Sequence, residues 1–166
     1  MKVCLIAALT VDGFIGKDAG HSSLDWTSKE DKQFFVEKTK ELGTLIVGRT
    51  TFETFKKPLP NRRNIVLTST PEKYEVEGAE FTSEDPKQLL ARLEGEGVES
   101  VAVIGGSKVY SQFLEEGLVT DLYLTVEPVM FGSGVPLAQL DTPVQMELES
   151  ERLLNSSTVL LHYVVR

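Results

Sequence analysis

The chain has 166 residues, 41% hydrophobic and 25% charged, a profile that fits one soluble globular domain spanning residues 1–166. Asp and Glu number 25 against 17 Lys and Arg, and the net charge of −8 argues against nucleic acid or an anionic membrane as a partner. One cysteine and two histidines exclude an intrachain disulfide and a His/Cys zinc site, and they fit a reducing, cytoplasmic setting without a metal.

The first apolar run, Val3–Leu9, is too short to span a bilayer and lacks a cleavage pattern, so it reads as a core strand with Cys4 as a small buried hydrophobe. A glycine-bearing loop, 12–25, follows. The sequence then predicts a helix over Ser28–Leu42, a strand Thr44–Val47, a helix Thr50–Phe55 and strands Asn64–Thr68 and Ala79–Phe81. Next come a helix Pro86–Glu94, a strand Ser100–Ile104, a helix Ser107–Glu116 and a strand Asp121–Val126. Strands Gln145–Leu153 and Ser157–Val165, with Asn155-Ser156 between them, read as an antiparallel hairpin at a sheet edge. Apolar runs alternating with amphipathic stretches give an α/β class, and continuously apolar early strands imply a mostly parallel sheet covered on both faces. Ligands bind such sheets at the carboxyl ends of the strands, so the segments just after them carry the interest.

The helix after Trp26 poses the sharpest question. Thr27 with Glu30 fits a capping box, which starts the helix at Ser28. Steps of about 100° per residue put Phe35 and Leu42 within roughly 40° of Asp31, with Phe34 about 60° to the other side. Asp31 thus falls on the inward arc, opposite Lys29, Gln33 and Lys40. An outward Asp31 would serve the helix N-terminus electrostatically. An inward one offers two acceptor oxygens to a planar group bearing an N–H beside an NH2, the edge of an aminopyrimidine or pterin.

Two strand-to-helix junctions suggest an anionic ligand. In "VIGGSKVY" (103–110), Gly105-Gly106 either lets a ligand approach the backbone or makes a tight turn, and the next helix offers free N–H groups. In "VGRTTF" (47–52), Gly48 and Arg49 precede Thr50 and Thr51, which suits a phosphate pocket or a plain surface arginine and cap. "PLPNRRN" (58–64) is a Pro-pinned turn whose Arg62 and Arg63 serve an anion or solvent. No P-loop, H-E-x-x-H, G-x-S-x-G or G-x-G-x-x-G motif occurs.

Taken in order, "LIAALTVDGFIG" (5–16), Trp26 with Asp31 and Phe35, "VGRTTFE" (47–53), "PLPNRRNIVLT" (58–68), "VIGGSKVYSQFL" (103–114) and "DLYLT" (121–125) resemble dihydrofolate reductase over residues 1 to about 127. The resemblance implies a three-layer α/β/α fold with a central eight-stranded, mostly parallel sheet and an antiparallel C-terminal strand. It implies an NADPH-dependent reductase of dihydrofolate, in tetrahydrofolate biosynthesis and one-carbon metabolism, acting as monomer or homodimer. Asp31 would hold the pterin and support protonation of its C=N, with Thr125 and Trp26 in the catalytic group. Ile6, Ala8, Phe35 and Ile104 would wall the pterin and its aryl tail, and Arg62 would bind the tail carboxylate. Ala8, Ile15 and a cis Gly105-Gly106 pair would line the nicotinamide. Gly48, Arg49, Thr50, Thr51, Thr68, Ser69, Ser107, Lys108 and Val109 would hold the rest of the cofactor, with Arg49 at its 2′-phosphate. The loop 16–25 would act as a lid.

Some features are similar instead to the reductase domain of riboflavin biosynthesis. "KDAGHSSLDW" (17–26) is long for the usual lid and has no Pro before Trp26; "EPVMFGSGVPL" (127–137) and Trp26-Thr27-Ser28 look like that domain. The alternative is therefore NADPH-dependent reduction of a ribosylaminopyrimidine phosphate. Asp31, Phe35 and Arg62 favour the folate reading, as does "FKKPLP" (55–60) where the riboflavin enzymes carry an Asp-Pro element. A non-catalytic nucleotide-binding module on the same fold stays a third reading.

Overall fold

Strand β1, Lys2–Leu9, occupies the middle of the sheet because both of its faces are apolar. Val3, Leu5 and Ala7 point into one core cluster; Cys4 and Ile6 point into the other. This alternation separates two apolar layers across one strand. In the computed structural model, which describes residues 1–166, the flanking strands are β6 (Ser100–Val103) and β7 (Asp121–Val126), both parallel to β1. Strands β3 (Thr44–Gly48), β4 (Arg63–Leu67) and β5 (Ala79–Thr82) continue the parallel sheet on the β6 side. Strands β9 (Met146–Leu153) and β10 (Val159–Val165) close the other side, β10 running antiparallel to both β7 and β9. The order is β5-β4-β3-β6-β1-β7-β10-β9, the eight-stranded sheet with an antiparallel C-terminal strand.

Helices cover both faces. Leu42 of α1 (Lys29–Leu42) and Phe52 of α2 (Arg49–Thr54) pack on Cys4, Ile6, Leu45 and Val47. On the opposite face Leu89 and Leu93 of α3 (Pro86–Gly95) and Phe113 of α4 (Ser107–Glu115) pack on Leu5, Ile46, Ile65 and Val103. Each such buried aliphatic or phenyl side chain contributes about 1.5–3 kcal/mol. The outer strand β9 is exposed along its whole length, and Glu147, Glu149 and Glu151 line it. Like charges repel a second β9 edge, which limits strand addition there.

Two local expectations change and one feature is added. The helix starts at Lys29, and its cap is Ser28, not Thr27. The Thr27 hydroxyl donates to the Ser23 carbonyl at 2.7 Å, inside the short 3-10 turn Ser23–Asp25, while Ser28 sits in extended backbone and its oxygen accepts from the Asp31 N–H. Glu30 is thus one residue too early for a capping box, and its carboxylate accepts from Asn155 at 3.3 Å. At the C-terminal hairpin the strands end at Leu153 and resume at Val159, because Asn155 Oδ1 accepts from both the Ser157 and Thr158 N–H groups. Finally, β2 (Phe14–Gly16) and β8 (Val135–Pro136) form a small separate sheet that joins the lid to the segment after β7.

Candidate active site

A cleft of about 870 Å³ runs across the carboxyl ends of β1, β3, β4 and β6. It gathers nearly all the residues singled out from the sequence: Ile6, Ala8, Phe35, Arg62 and Ile104 toward α1, and Ile15, Gly48 to Thr51, Thr68, Ser69 and Gly105 to Val109 toward the opposite end. Thr125 and Trp26 do not line it. Thr125 is 1% exposed and lies beneath Asp31. The Trp26 indole packs edge-on against Phe131 at 5.1 Å, behind the cleft wall, and its Nε1 is buried without a hydrogen-bond partner.

Asp31 faces inward and is 9% exposed. Burial pushes its pKa above the ordinary 3.8; the Thr125 hydroxyl pulls the other way, and the nearby Glu127 carboxylate adds to the rise. Beside it, the buried Tyr110 hydroxyl donates to the Ile6 carbonyl at 2.6 Å, and burial followed by the Asp31 charge pushes its pKa up. This bond ties α4 to β1 at the cleft floor.

Arg62 is presented by a turn that Asn64 braces. The Asn64 side chain accepts from the Leu59 N–H and donates to the carbonyls of Leu59 and Arg62, each at 2.8–2.9 Å. The Arg62 guanidinium donates to Pro60 O and to Thr39 Oγ1, at 2.9 and 2.8 Å. No carboxylate of the chain pairs with it, and burial lowers its pKa. Arg63 turns away instead, into a surface network with Glu80 and Glu96. Of these two arginines, Arg62 is the one without a carboxylate partner, and it lines the cleft at the α1 end together with Lys32.

The opposite end is made mostly of backbone. The Gly105-Gly106 peptide is cis, as the resemblance implies, and the Gly48 N–H donates to Gly105 O at 2.7 Å. A Cβ on Gly106 would lie 2.9 Å from Thr51 Oγ1, and one on Gly48 would lie 3.1 Å from Val109 Cγ2. A side chain at either position would have to push Thr51 or Val109 aside. Gly106 caps α4 without a side-chain bond, so the first N–H groups of that helix stay free, with Ser107 and Lys108 beside them. Arg49 is half-exposed and bonds Glu53 at 2.8 Å, which raises its pKa.

The turn at Val11 and Asp12, ahead of β2, is held by the segment after β7. Asp12 accepts from the N–H groups of Phe131 and Gly132 at 3.2 and 2.7 Å, and the Val11 N–H donates to Val129 O at 2.9 Å. Sequence reasoning missed this brace, and also Phe55 and Leu59 in the cleft wall. Both are apolar residues around "FKKPLP", but no period identifies their face. It also missed Glu127, a 3% exposed carboxylate whose partners lie far away in sequence.

A sequence model of the family described as dihydrofolate reductase matches residues 2–143. The uncharacterized protein YwjB of Bacillus subtilis is 30% identical over 98% of this chain and 97% of its own length. The dihydrofolate reductase of Enterococcus faecalis, solved in complex with NADP(H) and RAB-propyl, superposes with a TM-score of 0.80 at 30% identity, over 99% of this chain and 96% of that one. A putative riboflavin biosynthesis protein of Shewanella sp. PV-4 superposes with a TM-score of 0.81 at 21% identity, over 100% and 99% of the two chains.

Proposed function

The chain belongs to the dihydrofolate reductase family, and from that premise we propose that it reduces 7,8-dihydrofolate to tetrahydrofolate with NADPH. The observation that carries the reading is the pairing of a buried inward carboxylate, Asp31, with an arginine that has no carboxylate partner, Arg62, in the same cleft. Asp31 suits the flat N–H/NH2 edge of a pterin, and Arg62 suits the carboxylate of its tail.

The residues present fit a dinucleotide. The floor is tight at Gly48 and Gly106 and has a positive φ of 123° at Gly105, the free end of α4 suits a pyrophosphate, and Arg49 with Thr68 and Ser69 suits a 2′-phosphate. When bound, NADPH would supply the hydride that the substrate carbon takes up. The nitrogen of the C=N takes the accompanying proton, so one hydride and one proton are added. Asp31, held neutral to higher pH by burial, orients the ring and raises the basicity of that nitrogen or orders the water that delivers the proton. Phe35, Ile6 and Ile104 exclude bulk water, and the lid over residues 16–25 covers the mouth.

One observation favours a second substrate. Ser28 and the 127–137 segment are the features that look like the riboflavin reductases, and they meet through the Ser28–Glu127 contact. The test is NADPH oxidation followed with dihydrofolate and, separately, with the ribosylaminopyrimidine phosphate. Turnover with dihydrofolate supports the folate reading. Turnover with only the second substrate transfers the assignment to it, and tight NADPH binding without either turnover marks a nucleotide-binding module.

A further inference from the structure

Glu127 has no part in the chemistry just described. It does not line the cleft and is 3% exposed, yet it is a carboxylate. A buried carboxylate is costly unless its oxygens are filled. Here Oε1 accepts from the Ser28 N–H at 2.8 Å and from the Ser28 hydroxyl at 2.7 Å, and Oε2 accepts from the hydroxyl of Thr158, 1% exposed, at 3.0 Å. All three partners donate, which matches an ionised acceptor. The residue's backbone is fixed as well: its N–H donates to Leu9 O, and its carbonyl accepts from Val129 N–H, both at 2.8 Å.

The Ser28 hydroxyl has one proton. With that proton on Glu127, its oxygen is free to accept, and it accepts from the Asp31 N–H at 3.2 Å. A directed chain therefore runs from Asp31 N–H through Ser28 to Glu127, and it links the first turn of α1 to the end of β7 across 99 residues. We propose that Glu127 is a positioning residue for Asp31: through Ser28 it fixes the turn that carries Asp31, and it sets a second buried negative charge behind that carboxyl. The substrate reading above supplies Asp31's role in turnover, but the arrangement itself does not depend on which substrate is reduced.

The other groups facing Asp31 are Lys32 on α1, the hydroxyls of Thr27 and Thr125, and Tyr110 from α4. Lys32 and the two hydroxyls favour the ionised form; Glu127 and burial oppose it. Removing the Glu127 charge while keeping its shape must therefore make Asp31 a stronger acid. Glu127→Gln does this: its amide oxygen accepts from Ser28, and its NH2 donates to Thr158.

The experiment is a carboxyl ¹³C NMR titration of the free protein, with the Asp31 signal identified by its absence in Asp31→Asn. In Glu127→Gln the Asp31 midpoint moves to lower pH while the melting temperature stays near wild type. An unchanged midpoint in the folded variant overturns the proposal. Ser28→Ala tests the linkage: hydrogen exchange at the Asp31 amide speeds about five- to tenfold, the loss of one cap, and Ser28→Thr restores it. Unchanged exchange in Ser28→Ala overturns the proposal even if Glu127→Gln does not fold. Both readouts use neither substrate nor cofactor, so they separate this inference from the choice of reaction. Where turnover is measurable, Glu127→Gln loses about three- to tenfold in rate on the alkaline side of the profile.

Discussion

At the α1 end of the cleft the polar groups are a buried carboxylate, Asp31, and a half-buried guanidinium, Arg62, each braced by other side chains. Asp31 leans on Ser28, which leans on Glu127, and Arg62 leans on Thr39. At the opposite end the cleft wall is largely backbone: Gly48 at the end of β3 and Gly105 just after β6 approach to hydrogen-bond distance, and the charged side chains there, Arg49 and Lys108, are half-exposed and exposed. The first end fixes charge and proton affinity in a dry setting; the second offers shape and free N–H groups. Single substitutions at the first end should therefore change chemistry. At the second end they should change cofactor affinity, and the largest losses should come from added atoms.

Asp31→Asn gives the largest effect. The amide keeps the shape but loses the acceptor pair, and turnover of dihydrofolate near neutral pH should fall about 10²–10⁴-fold in stopped-flow or steady-state assays. Stability should move the other way. Burial raises the Asp31 pKa, so the native chain holds this proton more tightly than the unfolded chain does. The stabilisation from that proton is present below the ordinary Asp value of 3.8 and is lost as pH rises through the folded value. Asp31→Asn should thus melt above wild type at pH 8, and the gap should close toward pH 4. A variant that melts lower at both pH values would place Asp31 among structural carboxylates and erase the contrast.

Gly106→Ala comes next, and it tests the backbone end. The added Cβ lies 2.9 Å from Thr51 Oγ1, so the β3 and β6 junctions must part or Thr51 must turn. NADPH affinity should fall about tenfold or more, read by fluorescence titration, with the thermal transition retained. Gly106→Ala in a Thr51→Ser background removes the methyl but not the hydroxyl, and it should rescue little. Full rescue would make the Thr51 methyl, rather than the floor itself, the obstacle.

These two ends were also unequally legible in the sequence. Asp31 was readable because a helix period places it with Phe35 and Leu42, and local spacing is all that step needs. The strand-end glycines and Arg49 were readable because a parallel sheet collects ligands at one edge. Glu127 was not: its partners Ser28 and Thr158 lie 99 and 31 residues away, and no local period encodes such a contact. Thr27 and Ser28 are both competent caps, so sequence could not choose between them; the turn Ser23–Asp25 takes the Thr27 hydroxyl and decides it. Strands β2 and β8, of three and two residues, are too short to show alternation. Trp26 was grouped with the catalytic residues through its motif, and only the packing of Phe131 reveals that it stands behind the wall.

Arg62→Ala sharpens the substrate side at a middle scale. Its guanidinium retains donors beyond those on Thr39 and Pro60, and no carboxylate in the chain uses them. Loss of a charge-assisted bond to a substrate carboxylate costs about 1.5–3 kcal/mol, or roughly ten- to 150-fold in KM for dihydrofolate, with kcat little changed. A pterin lacking the glutamate tail should show no such loss. Equal losses for both would mean that Arg62 acts on the wall through Thr39 rather than on the ligand.

Arg49→Ala should give the smallest effect, and the reason lies in its pairing. Arg49 already bonds Glu53 one helical turn away at a half-exposed site, so a 2′-phosphate gains only the difference between two anions in solvent. NADPH affinity should fall only about two- to tenfold, with NADH affinity unchanged. Glu53→Gln frees the guanidinium and should tighten NADPH by a similar small factor, more at low salt than at high salt. If Arg49→Ala instead weakens NADPH and NADH equally, the residue contacts the shared part of the dinucleotide. The 2′-phosphate would then have to be read by Thr68 and Ser69, and this end of the cleft would discriminate through hydroxyls rather than through charge.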